Sequence, residues 1–208
     1  MSSRVSILSV AFFLMVVFFS SCDGSEKEAS LRQTFMEQAR TNNIRAALNA
    51  FEQLFSDYSV TGPEVIEAAS LMLFCEGEIE KASAYLDAVD PSGFLQKESY
   101  THVPHADAEA VRQLNYHYYR SYFYLRSFLA CTTSGYERCQ SVIQSSLDKL
   151  SENTGVNPIA SDRFQYFEIS ELLEIQSMPE ESVRSLLQQR ISESIRQCQS
   201  IRVDRESG

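Results

Sequence analysis

Histidines, serines and cysteines are the side chains here with chemistry to offer, and their spacing limits what they can do. His102 and His105 stand three apart in Tyr-Thr-His-Val-Pro-His-Ala-Asp, with Asp107 following. Such a set presents a divalent cation with two imidazoles and a carboxylate. Zinc ligands need defined spacing on a rigid frame, and a pair split by Pro104 lacks it, so the segment reads as an exposed polar loop. No Gly-x-Ser-x-Gly turn lifts a serine out as a nucleophile, and no glycine-rich loop is present to cradle phosphate. Only three histidines occur in 208 residues, two of them in that loop. The expectation is a chain with no catalytic residues, no metal and no cofactor.

The five cysteines divide into one and four. Cys22 directly follows an apolar run: Arg4 supplies a positive charge, Val5–Phe19 is fifteen residues almost without polar interruption, and Ser20 and Ser21 are small. Fifteen residues suit the apolar core of a secretory signal and fall short of the roughly 20 a spanning helix needs. Phe19-Ser20-Ser21-Cys22 resembles the lipobox of bacterial lipoproteins, in which a large apolar residue and two small ones precede a cysteine. Phe19 departs from the usual leucine. The resemblance implies cleavage before Cys22, diacylglycerol on its thiol and often acylation of its new amino group. Two or more acyl chains, at about 0.8 kcal/mol per buried methylene, hold a protein on a membrane where one does not. The plainer alternatives are an uncleaved anchor, or secretion with Cys22 as a free thiol.

Removal of Met1–Ser21 takes 21 of the 208 residues and leaves 187, enough for one domain with a real core. Arg4 leaves with the signal, so the formal charge of −10 becomes −11. So acidic a chain has no bulk attraction to nucleic acid or to anionic headgroups, and the lipid must supply the membrane contact. In an oxidising exported compartment the remaining Cys75, Cys131, Cys139 and Cys198 allow three pairings. Cys131 and Cys139 flank the Thr132–Gly135 turn, so one reading is a bridge across it and the other is buried free thiols.

The elements that position these residues read as helices throughout, with only seven glycines in the chain. Helices are expected from about Glu26 to Arg40, Ile44 to Ser56, Pro63 to Cys75 and Ile79 to Val89. Thr41-Asn42-Asn43, Thr61-Gly62-Pro63 and Gly77 are the breaks between them. Asp90–Ala106 is irregular. Further helices follow over about Asp107–Cys131, Tyr136–Leu150, Ser161–Gln176 and, after Ser177-Met178-Pro179, to Ile201. The organisation is thus a signal over 1–21, a lipidated cysteine and polar tether over 22–29, a helical domain over 30–201 and a frayed tail over 202–208.

A repeat lies inside this pattern. Asn42-Asn43-Ile44-Arg45-Ala46-Ala47 precedes Gly77-Glu78-Ile79-Glu80-Lys81-Ala82 by 35 residues, and Phe51 and Leu86 follow the two alanines by four. This resembles the tetratricopeptide repeat, a helical hairpin of about 34 residues. A small residue lets the paired helices approach, and a large one fills the gap to the next hairpin. Leu31 and Ile66 occupy the first-helix apolar site. Phe35 departs from the small consensus residue that Ser70 satisfies. A third hairpin (Phe123, Ser127, Cys139, Ile143) is more degenerate, and the pair around Met178-Pro179 keeps only a trace. The resemblance implies an all-α right-handed superhelix of about four stacked hairpins, which meets the roughly three or more such units need to bury their faces. A generic helical bundle is the alternative.

In that family the concave face comes from the first helix of each hairpin, which here includes Arg32, Met36, Leu71, Phe74, Tyr124, Leu125 and Phe128. The face is mainly apolar, unlike those that clamp acidic peptide tails. It suits an apolar helix or strand of a partner, a hydrophobic small ligand, or the C-terminal hairpin folded back. Asn115–Phe128 carries five tyrosines and two phenylalanines in fourteen residues, so aromatics point nearly all round the helix. That reads either as a helix packed on both sides or as one side packed and one lining a groove. The function expected is a lipid-anchored, periplasm-facing scaffold that binds another protein, itself membrane-associated. The alternative is a carrier or sensor for a hydrophobic small molecule or lipid, as a transporter accessory. Asp23 after the lipidated cysteine favours inner-membrane retention in some bacteria and leaves the choice of membrane open.

Overall fold

A computed structural model describes residues 24–58, 60–96, 108–152 and 169–206. Every regular element among them is a helix. The chain divides after Ser59 into two compact units.

The first unit is a hairpin of α1, over 24–40, and α2, Ile44–Asp57. Its turn is a Schellman closure: Asn43 N–H donates to Gln38 O at 2.9 Å, Asn42 N–H to Ala39 O at 3.0 Å, and Asn42 takes the left-handed φ of 56°. Asparagine replaces the usual glycine there because its short polar side chain tolerates that region. The hairpin is antiparallel, since Phe35 meets Phe51 at 5.4 Å near the turn while Lys27 pairs with Asp57 at the open end. Within the tether expected over 22–29, residues 24–29 are helical, while 22 and 23 lie outside the described residues; an Arg32–Glu28 pair four residues apart at 2.8 Å supports this part of α1.

The second unit opens with α3, Pro63–Leu71, whose Pro63 sits in the first turn where a missing N–H costs nothing. All nine of its residues are buried, Glu64 and Glu67 included. Met72–Glu76 continues it as a π turn, where regular helix to Cys75 was expected. One extra residue in a turn rotates the side chains beyond it by about 100°, and here Phe74 and Cys75 are the ones redirected. Gly77, at φ 73°, ends the turn. Its place is constrained twice, because an added Cβ would lie 3.0 Å from Ile195 Cδ1.

Then come α4, Ile79–Asp87; α5, Ser92–Gln96; α6, Ala108–Thr133; α7, Tyr136–Ser151; α8, Ile169–Ser177; and α9, Glu180–Glu206. The short α5 interrupts the segment expected to be irregular; the Asp90 carboxylate starts it by accepting from Ser92 N–H at 3.0 Å and Ser92 Oγ at 2.8 Å. Helix α9 runs past Ile201, into the residues expected to fray.

Helix α6 is the centre of the second unit, packing against α3, α4, α5, α7, α8 and α9. That explains its composition: Tyr116, Tyr118, Tyr119, Tyr124, Leu125, Phe128 and Leu129 are all buried, on more than one side of the helix. Buried serines let α7 approach it, with Ser127 and Ser146 hydrogen-bonded at 2.9 Å. Helix α9 lies across the π turn and α6, and buries Val183 and Leu187. Each of these contributes about 1.5–3 kcal/mol by removal from water.

Candidate interaction groove

The residues expected to form a groove separate into three groups. Phe74, Tyr124 and Phe128 come together: Phe74 meets Phe128 edge-on at 5.3 Å, and Tyr124 stacks on Phe128 at 6.1 Å. Leu71 and Leu125 are core residues, the latter fully buried. Met36 belongs to α1 in the other unit.

The three aromatic rings form one wall of a cavity of ≈ 30 Å³. Its other walls are Glu171 of α8 and the α9 side chains Arg190, Glu193, Ser194 and Gln197. A cavity of 30 Å³ admits about two water molecules. Helix α9 therefore fills the face made by the π turn and α6, and leaves room for little else.

A polar cluster closes this seam. Tyr124 Oη donates to Glu171 Oε2 at 2.8 Å, and Arg190 Nη2 stands 3.2 Å from Glu171 Oε1. Glu171 and Tyr124 are both buried, so the carboxylate has exchanged water for a phenol and a guanidinium. Burial pushes the Tyr124 hydroxyl well above the usual phenol range, as do the charge and hydrogen bond of Glu171, while Arg190 partly offsets them. The phenol is thus a permanent donor. Neither Glu171 nor Arg190 was expected at the site from sequence. The available signal was register: Arg190 sits at i+7 from Val183 and i+3 from Leu187, on the apolar stripe of its own helix. A charge on that stripe needs a partner inside.

Two disulfides tie the second unit. Cys131 and Cys139 are bridged across the α6–α7 turn with Cα atoms 4.4 Å apart. Cys75 and Cys198 are bridged at a Cα separation of 5.4 Å, fastening the π turn to α9 over 123 positions of sequence.

No family model, curated protein or solved structure matches the chain.

Among the described residues no group of three or more His, Cys, Asp or Glu side chains is placed to hold a metal ion. His102, His105 and Asp107 lie outside the described residues, as does Cys22 with the rest of the expected signal. No described helix is long and apolar enough to cross a membrane. His117 is half-buried on α6, and burial first, then the nearby Arg120 charge, lowers its pKa to about 4. A neutral ring packed edge-on to Tyr118 at 5.6 Å is its arrangement near neutral pH.

Proposed function

We propose that the chain is a lipid-anchored helical scaffold on the exported side of a bacterial membrane, where it holds another protein. The observation that carries the anchor is the run Val5–Phe19 ending on Phe19-Ser20-Ser21-Cys22. The domain is acidic overall and has no bulk attraction to anionic headgroups, so the acyl groups on Cys22 supply the attachment. Every described element is helical, and the aromatic rings and arginine of the seam are residue types that suit a protein interface.

The domain is read as tetratricopeptide-like. Two left-handed turn residues, Asn42 and Gly77, recur 35 positions apart. The alanines that follow them, Ala47 and Ala82, are fully buried, as are the large residues Phe51 and Leu86 four positions on. On that reading α3 with its π turn and α6 are first helices, and α9 lies on the face they share.

The partner engages in or along this groove. Recognition of a lipid or other hydrophobic small molecule calls for a cavity of roughly 300 Å³ or more, and the seam's cavity is about a tenth of that. No observation favours the carrier over the scaffold. Affinity capture of the mature protein from crosslinked membranes tests the proposal. It predicts one stoichiometric protein partner, and capture of none would end it.

A further inference from the structure

Helix α9 is held in two different ways along its length. Its first two turns bury Val183 and Leu187. From Gln188 to Ser200 no side chain is fully buried: Ile191, Ile195 and Cys198 are only half-covered. A helix of this length fastened by half-covered side chains frays readily, because helix stability in proteins comes mainly from a buried face. What fastens the distal half is the Cys75–Cys198 bridge, with the Arg190–Glu171 pair at its start. Beneath it lie Phe74, Tyr124, Phe128 and Glu171, three aromatic rings and a carboxylate.

We infer that the distal half of α9 is a displaceable occupant of a helix-docking face, latched by the Cys75–Cys198 disulfide, and that reduction of the bridge opens the face to an amphipathic helix of a partner protein. The class of partner is read from the occupant: apolar residues at the spacing of Ile191 and Ile195, with an arginine one position before the first to reach Glu171. The reductant is a dithiol. One thiolate attacks Sγ of Cys198, the more exposed residue of the pair, and Cys75 leaves as a thiolate and takes up a proton. The second thiol of the reductant then resolves the mixed disulfide, releasing Cys198 as a thiol. The reductant is oxidised by two electrons to its own disulfide, and both cysteines are reduced. The inference deepens the scaffold reading and rests on it for the existence of a partner.

The test uses the mature chain in detergent in three forms: oxidised, reduced with dithiothreitol, and the Cys75→Ser/Cys198→Ser variant, which keeps the Cys131–Cys139 bridge. Hydrogen exchange over residues 188–200 should be at least tenfold faster in the reduced protein and the variant, with α6 unchanged. A fluorescent peptide of residues 180–200 carrying Cys198→Ser should bind both of these and not the oxidised protein. Equal exchange over 188–200 in all three forms would end the latch and leave the scaffold standing. Faster exchange without peptide binding would show that the uncovered face is no helix dock. A reduced protein that pairs into dimers by trading α9 would overturn the assignment to a foreign helix. Failure of partner capture, by contrast, would remove the scaffold while α9 still opened on reduction.

Discussion

Tyr124 and Glu171 are joined by a 2.8 Å hydrogen bond between α6 and α8, across 47 positions of sequence, and Arg190 of α9 completes the contact from the other side of the carboxylate. Three helices thus meet at one buried charge. Removing the phenol leaves a carboxylate oxygen with a lost donor in a place water reaches poorly. Tyr124→Phe should lower unfolding free energy by about 2 kcal/mol in urea titration. In the Glu171→Gln background the same change should cost less than half as much, because the two act through one network. An equal loss in both backgrounds would mean that the hydrogen bond contributes nothing.

Gly77 is constrained by backbone and by neighbour. At φ 73° any L side chain is strained, by about 1–3 kcal/mol, and its Cβ would press on Ile195 Cδ1 at 3.0 Å. The isoleucine methyl is flexible and can give way, so the backbone term should dominate. Gly77→Ala should cost about 1–2 kcal/mol by the same titration, and adding Ile195→Ala should recover little of that increment.

The two disulfides should differ in worth. Bridging closes a loop in the unfolded chain, and the entropy removed grows with loop length. For sequence separations of 123 and 8 the expected losses are about 5 and about 2.5 kcal/mol. Thermal unfolding of Cys75→Ser/Cys198→Ser should therefore show a drop in Tm about twice that of Cys131→Ser/Cys139→Ser. A larger drop for the second variant would contradict this ordering.

His117 gives the domain an acid-sensitive term. Its folded pKa, lowered from 6.5 to about 4 by burial and then by Arg120, means that the unfolded chain takes up a proton over a range where the folded one does not. The stabilisation is complete above pH 6.5, is lost as pH falls toward 4, and changes no further below that. A half-exposed ring is partly screened by solvent, so the term is worth about 2 kcal/mol rather than the full shift. Unfolding free energies of wild type and His117→Gln should diverge across this window, with wild type losing more. Parallel curves would show that His117 titrates normally.

Helix positions were legible because their signals are local. Pro63 opens α3, Gly77 and Asn42 close helices in the left-handed region, and the apolar spacing of Ala47, Leu48, Phe51 and Leu54 marks the buried stripe of α2. The aromatic excess of Asn115–Phe128 marked an unusual helix without saying whether both sides were packed; the number of helices converging on α6 decides that. The seam was half legible. Phe74, Tyr124 and Phe128 share helical registers that periodicity exposes. Glu171 and Arg190 belong to helices whose docking depends on the whole chain's path. The π turn was not legible, because Met72–Glu76 holds no breaker, and its extra residue is stabilised by what Phe74 and Cys75 meet on α9.

Cys22 as the lipid-bearing residue of an exported domain is the claim on which the proposed function most depends. Fractionation of bacteria producing wild type and Cys22→Ala, with intact-mass measurement of the mature protein, tests it. Wild type should sediment with membranes and begin at Cys22 with the added mass of a diacylglyceryl group. Cys22→Ala should leave the membrane fraction or retain its uncleaved signal. A Cys22→Ala protein that is cleaved at the same place and stays fully membrane-bound would contradict the claim.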